Sequence, residues 1–164
     1  MTNYWKIQGV PHKGWRLLDV VDVREDGQSE IDTDYEFCMM CGHDKIRYVH
    51  IVTHDEFGEE FRVGCNCAEK MTGDYVNPEK RERELQKRAS RKSNWKNRKW
   101  RISRNDNYFL NCESHNLVIY TDRYSGKFKL KIDELFSTKS YDSIDKAKEA
   151  AFKNVEYLKE KGKW

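Results

Sequence analysis

The first third of the chain alternates short apolar runs with polar turns. Residues 15–23 (WRLLDVVDV) are rich in β-branched and large apolar side chains, which predicts a strand. Residues 46–52 and 60–63 have the same character, and the short polar stretch between them predicts a β-hairpin. A short helix is expected to begin near Ala68 and to end at Gly73, because glycine readily ends a helix.

The middle of the chain carries a strong helix start. Asn77 suits the N-cap, Pro78 the first helical position and Glu79 the first turn. We therefore expect a helix from Pro78 to near Trp95. Its apolar residues are few, so the pattern does not predict a wide buried face.

Beyond residue 98 the pattern changes to the period of two that is typical of strands. The expected strands lie near 99–103, 107–112, 117–122 and 127–133. A last helix is expected over about 143–160, with Asp142 or Ser143 as its cap and apolar residues at intervals of three and four. This part of the chain predicts a small antiparallel sheet covered by one helix.

These elements predict an α+β fold with three parts. Residues 1–77 would form N-terminal strands and a β-hairpin lobe of the zinc-knuckle or treble-clef kind, 78–98 a linking helix, and 99–164 the sheet and its helix. Only 37% of the 164 residues are hydrophobic and 36% are charged. Such a chain buries little apolar surface, so a bound metal ion would add useful stability.

The chemistry that stands out is two cysteine pairs, Cys38-x-x-Cys41 and Cys65-x-Cys67, with 23 residues between them. Four thiolates at such spacing suit one tetrahedral zinc ion in a structural site. Gly42 permits the tight turn of a zinc knuckle. We therefore expect one structural Zn²⁺ on these four residues. A filled four-thiolate site leaves no position for a catalytic water.

Two alternatives to this prediction remain open, and one feature departs from the usual pattern. Cys-x-Cys is tighter than the Cys-x-x-Cys that usually forms the second pair of a treble clef, and the four thiols could instead be free or redox-active. His43, His50 or His54 could replace one cysteine as a ligand. Cys112 stands alone on a predicted strand and is expected to be a buried thiol.

Charge is distributed unevenly around these cysteines. Residues 79–101 contain 11 Lys and Arg against three Glu, and residues 19–36 contain eight Asp and Glu against one Arg. The basic segment, with its tryptophans, could contact phosphates and bases or a protein partner. Its candidate contact residues are Arg81, Lys87, Arg88, Arg91, Lys92, Trp95, Arg98 and Trp100. The candidate partner-binding residues of the acidic segment are Asp19, Asp22, Glu25, Asp26, Asp32 and Asp34. Both segments could also be solvated surfaces.

The sequence offers little for catalysis. It contains no nucleophile elbow, no phosphate-binding glycine loop and no zincin motif. Pairs of acidic residues such as Asp19 and Asp22, or Asp32 and Asp34, could bind Mg²⁺, but nothing sets their geometry. We therefore expect a non-enzymatic protein. The absence of a signal-peptide pattern and of long apolar runs predicts a cytoplasmic location, where paired thiols stay reduced.

Part of the chain, roughly residues 35–101, resembles a known group of proteins. The motifs that carry the resemblance are Cys38-x-x-Cys41-Gly42, Ile46-Arg47-Tyr48-Val49-His50, Val63-Gly64-Cys65-x-Cys67-Ala68-Glu69, Met71, Tyr75 and Arg81-Glu82. They resemble small zinc proteins of bacteriophages and other mobile elements, including a zinc-bearing anti-CRISPR protein of type II-A systems.

This resemblance implies a function in a bacterial host cell. It implies an inhibitor without enzymatic activity that binds a type II RNA-guided DNA endonuclease and blocks its loading on or engagement of target DNA. The alternative function that the residues indicate is a zinc-stabilised module that binds DNA or RNA through the basic helix.

Overall fold

The computed structural model of the chain describes residues 2–25 and 28–164. They form an α+β fold with two antiparallel sheets and a C-terminal helix. The chain divides into two compact units, Met1–Ala89 and Ser90–Trp164. In chain order the elements are β1 (Arg16–Asp22), β2 (Tyr48–His54), β3 (Phe57–Val63), α1 (Cys65–Thr72), α2 (Asn77–Lys96), β4 (Arg101–Ile102), β5 (Tyr108–Cys112), β6 (His115–Thr121), β7 (Phe128–Ile132), β8 (Leu135–Tyr141) and α3 (Ile144–Glu160).

The first unit is built on the predicted hairpin. β2 and β3 pair antiparallel, and β1 joins the other edge of β2, giving the strand order β1-β2-β3. The hairpin strands reach closer to their turn than predicted, because Phe57 pairs with His54. α1 begins at Cys65, three residues earlier than predicted, and ends as predicted at Gly73, whose φ of 71° is left-handed. The core of this unit includes Trp15, Phe61 and Met71, each at most 2% exposed.

The second unit is a five-stranded meander, in the order β4 to β8, with α3 against it. The four predicted strands are present, but the prediction missed β8. Most residues of β8 are exposed and it pairs only with β7, so it lacks the apolar alternation that would have revealed it. α3 buries Ala147, Ala151 and Val155 on the face that its spacing predicts, and it also buries Phe152, which the spacing did not include.

The sequence indicated the capping residue of one long helix correctly but not that of the other. Ser143 caps α3 as expected, because its side chain accepts a hydrogen bond from the backbone N–H of Lys146. α2 begins at Asn77, one residue before the predicted Pro78, and the capping side chain is Asp74 rather than the predicted Asn77. Its carboxylate accepts hydrogen bonds from the backbone N–H groups of Val76 and Asn77, at 2.9 and 3.0 Å. Among the described residues, no helix combines the length and the apolar character that a bilayer span requires.

Candidate metal centre

The first two cysteines lie in a tight loop of the first unit. Glu36 and Ile46 close this loop by exchanging both backbone hydrogen bonds, at 3.1 and 2.9 Å. Inside it, the N–H of Gly42 donates to the carbonyl oxygen of Cys38 at 2.7 Å. Gly42 has a φ of 77°, a left-handed conformation that glycine adopts without strain. The loop therefore has the turn expected of a knuckle and holds Cys38 and Cys41 close together.

A third cysteine reaches this loop from α1. β3 ends at Val63, and Cys67 is the third residue of the helix that follows. The Sγ atoms of Cys38, Cys41 and Cys67 all lie within 4.8 Å of one another, and Cys38 and Cys67 are 2% and 7% exposed. Sulfur atoms around a tetrahedral zinc ion lie roughly 3.8 Å apart. These residues, the three-cysteine group, are therefore positioned to hold a metal ion.

The fourth predicted ligand, Cys65, lies in a different cluster. Side chains two residues apart on an α-helix point about 200° from each other. Because α1 begins at Cys65, this residue and Cys67 face different directions. The Sγ atom of Cys65 lies within 4.8 Å of a ring nitrogen of His50 and a carboxylate oxygen of Glu82. The structure thus brings three of the four cysteines together and places Cys65 in the His50–Cys65–Glu82 group.

This second group draws on three elements of the first unit. His50 lies in β2, Cys65 begins α1, and Glu82 lies in α2. His50 is fully buried, and its Nε2 atom lies 3.2 Å from the carbonyl oxygen of Pro78 and 3.8 Å from a carboxylate oxygen of Glu82. The sequence could not indicate this group, because its members are up to 32 residues apart and meet only through the position of α2.

Hydrogen bonds to sulfur shape the electrostatics of the three-cysteine group. The Cys67 thiol donates to the Cys38 sulfur, and this bond lowers the pKa of Cys38 to about 5 although burial opposes the shift. The backbone N–H groups of Gly64 and Cys41 contribute in the same direction. The shared hydrogen bond and burial raise the pKa of Cys67. A divalent cation would take the place of the shared proton and stabilise both thiolates.

Cys65 has the opposite environment. Burial raises the pKa of Cys65 to about 12, and the negative charges of Glu82 and Glu69 act in the same direction. The thiol also donates to a carboxylate oxygen of Glu69 at 3.9 Å. In the protein without metal, Cys65 is therefore a neutral thiol at physiological pH.

The two groups share one surface cavity of about 370 Å³, which all four cysteines and Glu82 line. The histidines proposed as alternative ligands occupy three different places. His43 lines the cavity, and His50 belongs to the second group. His54 instead packs beside Trp15, with their ring centroids 5.4 Å apart.

The tryptophans of the basic segment belong to the core of the second unit. Trp95 is 7% exposed, and its ring packs against Phe152 with the centroids 5.5 Å apart. Its indole N–H donates to the carbonyl oxygen of Lys148 at 2.8 Å. Trp100 is half-buried and meets Trp95 edge to face. The expectation that Trp95 stacks on bases is therefore corrected, because its ring is already packed inside the protein.

Several arginines of the basic segment have partners within their own unit. Arg91 forms two hydrogen bonds with the carboxylate of Glu156, at 3.0 and 2.7 Å. Arg98 donates to the sulfur of Cys112, which is 4% exposed, and the prediction of a buried thiol there is confirmed. Arg81 donates to a backbone carbonyl of β1 at 3.2 Å. The other predicted basic contact residues are exposed or half-buried on α2, namely Lys87, Arg88 and Lys92.

The acidic segment is partly neutralised by its surroundings. Asp22 accepts two hydrogen bonds from the guanidinium of Arg47, each 2.9 Å long. Asp19 is exposed, and its carboxylate accepts the N–H of Val20. Asp26 lies outside the described residues. The exposed members that remain are Glu25, Asp32 and Asp34.

Comparisons with protein-family models, with curated proteins and with solved structures find no match to this chain.

Proposed function

We propose that this chain is a zinc-stabilised, non-enzymatic binding protein that inhibits a type II RNA-guided DNA endonuclease. One observation carries the first part of the proposal. The three-cysteine group lies where the knuckle loop and the start of α1 meet, and two of its three side chains are buried. An ion at such a place would hold elements of the fold together, which is the role of structural zinc.

Zinc is the ion that these ligands favour. Thiolates are soft ligands, which select zinc, copper(I) or iron–sulfur clusters rather than magnesium or calcium. The three sulfur atoms converge on one point from a knuckle and a helix start, which suits a single tetrahedral ion. The proposal rests on Cys38, Cys41 and Cys67, since Cys65 lies with His50 and Glu82.

The resemblance of residues 35–101 to phage zinc proteins supports the partner that we propose. Charge complementarity adds to it, because Glu25, Asp32 and Asp34 present exposed carboxylates that a basic nuclease surface would attract. Binding of these three carboxylates to a basic surface of the nuclease would block its engagement of target DNA.

A second candidate function is binding of DNA or RNA by α2. The observation that favours it is the exposure of Lys87 and Arg88 on this helix. Lysine and arginine contacts with phosphates are salt-sensitive and largely independent of sequence. Because Trp95 is buried, such binding would rely on charge rather than on base stacking.

The two functions are separated by measuring binding and DNA cleavage with a panel of purified type II endonucleases and their guide RNAs. We expect the zinc-loaded protein to bind at least one nuclease and to suppress its cleavage of target DNA. Cys38→Ser should lose both activities, whereas Cys112→Ser, a cysteine outside both groups, should keep them.

If the protein bound none of the nucleases in the panel, the inhibitor function would be contradicted. Binding to DNA or RNA alone at low salt, with a loss of affinity in Lys87→Glu and Arg88→Glu, would instead support the second function.

A further inference from the structure

We propose that His50, Cys65 and Glu82 bind a second divalent metal ion, so that the first unit carries two ions rather than the single one that the sequence predicts. The proposal goes beyond the binding function above, which needs only the three-cysteine group. The second ion would be zinc, because imidazole, thiolate and carboxylate are all ordinary zinc ligands.

The distances in the group suit one small ion. With zinc–ligand bonds of about 2.0–2.3 Å, the ligand atoms of a tetrahedral site lie roughly 3.3–3.8 Å apart. One donor atom from each of the three residues lies within 4.8 Å of the donor atoms of the other two. Small side-chain movements would bring all three donors onto one ion.

The imidazole of His50 provides independent evidence for a bound ion, because one of its ring nitrogens has no hydrogen-bond partner. Its side chain is fully buried, yet Nδ1 has no hydrogen-bond partner. The other ring nitrogen lies 3.2 Å from the carbonyl oxygen of Pro78. A buried polar atom without a partner is costly, and such atoms are rare in folded proteins. A carbonyl oxygen only accepts, so the Nε2–H donates to Pro78 and Nδ1 carries the free lone pair of the neutral ring. A metal ion bound at Nδ1 would use this lone pair, which the protein alone leaves without a partner.

The charges around the group favour a cation. The carboxylates of Glu82, Glu69 and Glu79 all act electrostatically on Cys65. Two cations, Lys45 and Arg47, also line the cavity, and the guanidinium of Arg47 is held by the carboxylate of Asp22. A divalent ion would therefore meet the carboxylates beside Cys65, and Cys65 would release its thiol proton to water on binding.

The site is distinct from the three-cysteine group, although both use the start of α1. Cys65 and Cys67 point in different directions on the helix, and their sulfur atoms fall in different groups. The second ion would join β2, α1 and α2, whereas the first joins the knuckle to α1. Cys65 and Glu82 line the cavity, so water from it can complete the coordination.

The test is the metal stoichiometry of the full-length protein, measured by elemental analysis and native mass spectrometry after loading with Zn²⁺ and, separately, with Co²⁺. We expect two ions per wild-type chain and one in His50→Gln, Glu82→Gln and Cys65→Ser. Thiolate-to-cobalt absorption should fall by about one quarter in His50→Gln, since one of four Co–S bonds is lost with the second ion.

Two matched variants serve as controls. His54→Gln changes another histidine of β2, and Glu84→Gln changes another carboxylate of α2; both should retain two ions. Because His50 is buried and its replacement could unfold the unit, Glu82→Gln at a half-buried position keeps the test valid. A single ion in the wild-type protein would overturn the proposal, as would two ions in both Glu82→Gln and Cys65→Ser.

Discussion

The two units of this chain each place a helix against an antiparallel sheet, but on different scales. The second unit sets the 17-residue α3 against five strands. The first has three strands and the eight-residue α1, which buries only Cys67, Ala68 and Met71. Within the described residues, both clusters of metal-binding side chains lie in this first unit. Among the described residues, each unit nevertheless buries eleven residues in its apolar core, so the size of the core does not distinguish the two units. The difference indicates instead that the metal ligands lie where a loop and a short helix meet, because a bound ion can hold together elements that bury few side chains of their own.

The largest effect that would test this comparison is loss of the three-cysteine group. Cys38→Ser should release the metal ion and unfold the first unit while the second stays folded, because structural zinc in small sites binds with about 10–16 kcal/mol. Amide NMR spectra or limited proteolysis of the full chain would show which unit has unfolded, and elemental analysis would show the loss of metal.

Cys112→Ser is the matched control for that experiment, because Cys112 is a buried cysteine of the second unit. It should keep the full metal content. If Cys38→Ser left the first unit folded, metal binding would not be what stabilises it.

A core truncation in the second unit should have a smaller effect, and it should destabilise the second unit rather than the first. Phe152 is 4% exposed and packs against Trp95, so Phe152→Ala should cost the second unit about 3–5 kcal/mol. Metal content and the NMR signals of the first unit should not change. Tyr124→Ala, at a fully exposed aromatic residue of the same unit, is the control and should have little effect. Loss of metal in Phe152→Ala would show that the two units depend on each other.

The smallest predicted effect concerns an ion pair beside the knuckle loop. Arg62 donates two hydrogen bonds to Glu36, and these bonds lower the pKa of Glu36 below its usual 4.5. The stability from this pair is therefore complete above pH 4.5 and is lost as the pH falls through the lowered pKa. Glu36→Gln should cost at most about 1 kcal/mol at pH 7, because the pair is partly exposed.

This prediction is checked by denaturant unfolding of the wild type and the variant between pH 7 and pH 3. The difference in unfolding free energy should shrink toward zero at low pH. Glu59→Gln, an exposed residue of the same hairpin, should show no such pH-dependent difference. A difference for Glu36→Gln that persisted unchanged at pH 3 would contradict the assignment.

Local sequence signals predicted most of the fold. The Asn77-Pro78 start placed α2, Ser143 placed the cap of α3, and Gly73 placed the end of α1, because each depends on the conformational preference of one or two residues. β8 was missed because an edge strand with both faces largely exposed has no apolar period.

The candidate site was predicted less completely. The spacing of Cys38 and Cys41 and the return of the hairpin indicated the three-cysteine group correctly. The same spacing rule placed Cys65 with them. It did not consider that α1 begins at Cys65, so that the side chains of Cys65 and Cys67 point about 200° apart around the helix. Trp95 was interpreted as a contact residue because its basic neighbours are visible in the sequence, whereas its packing partner Phe152 is 57 residues away.

The amino-acid sequence was sufficient to indicate most of the helices and strands and the thiols that can bind metal, because these depend on neighbours within one or two turns of chain. Only the tertiary structure decided which donor atoms meet. The direction of a side chain at a helix start, and the approach of α2 to β2 that brings Glu82 to His50, depend on packing between elements distant in sequence. For that reason the paired cysteines, which the sequence presents as one site, occupy two groups in the folded protein.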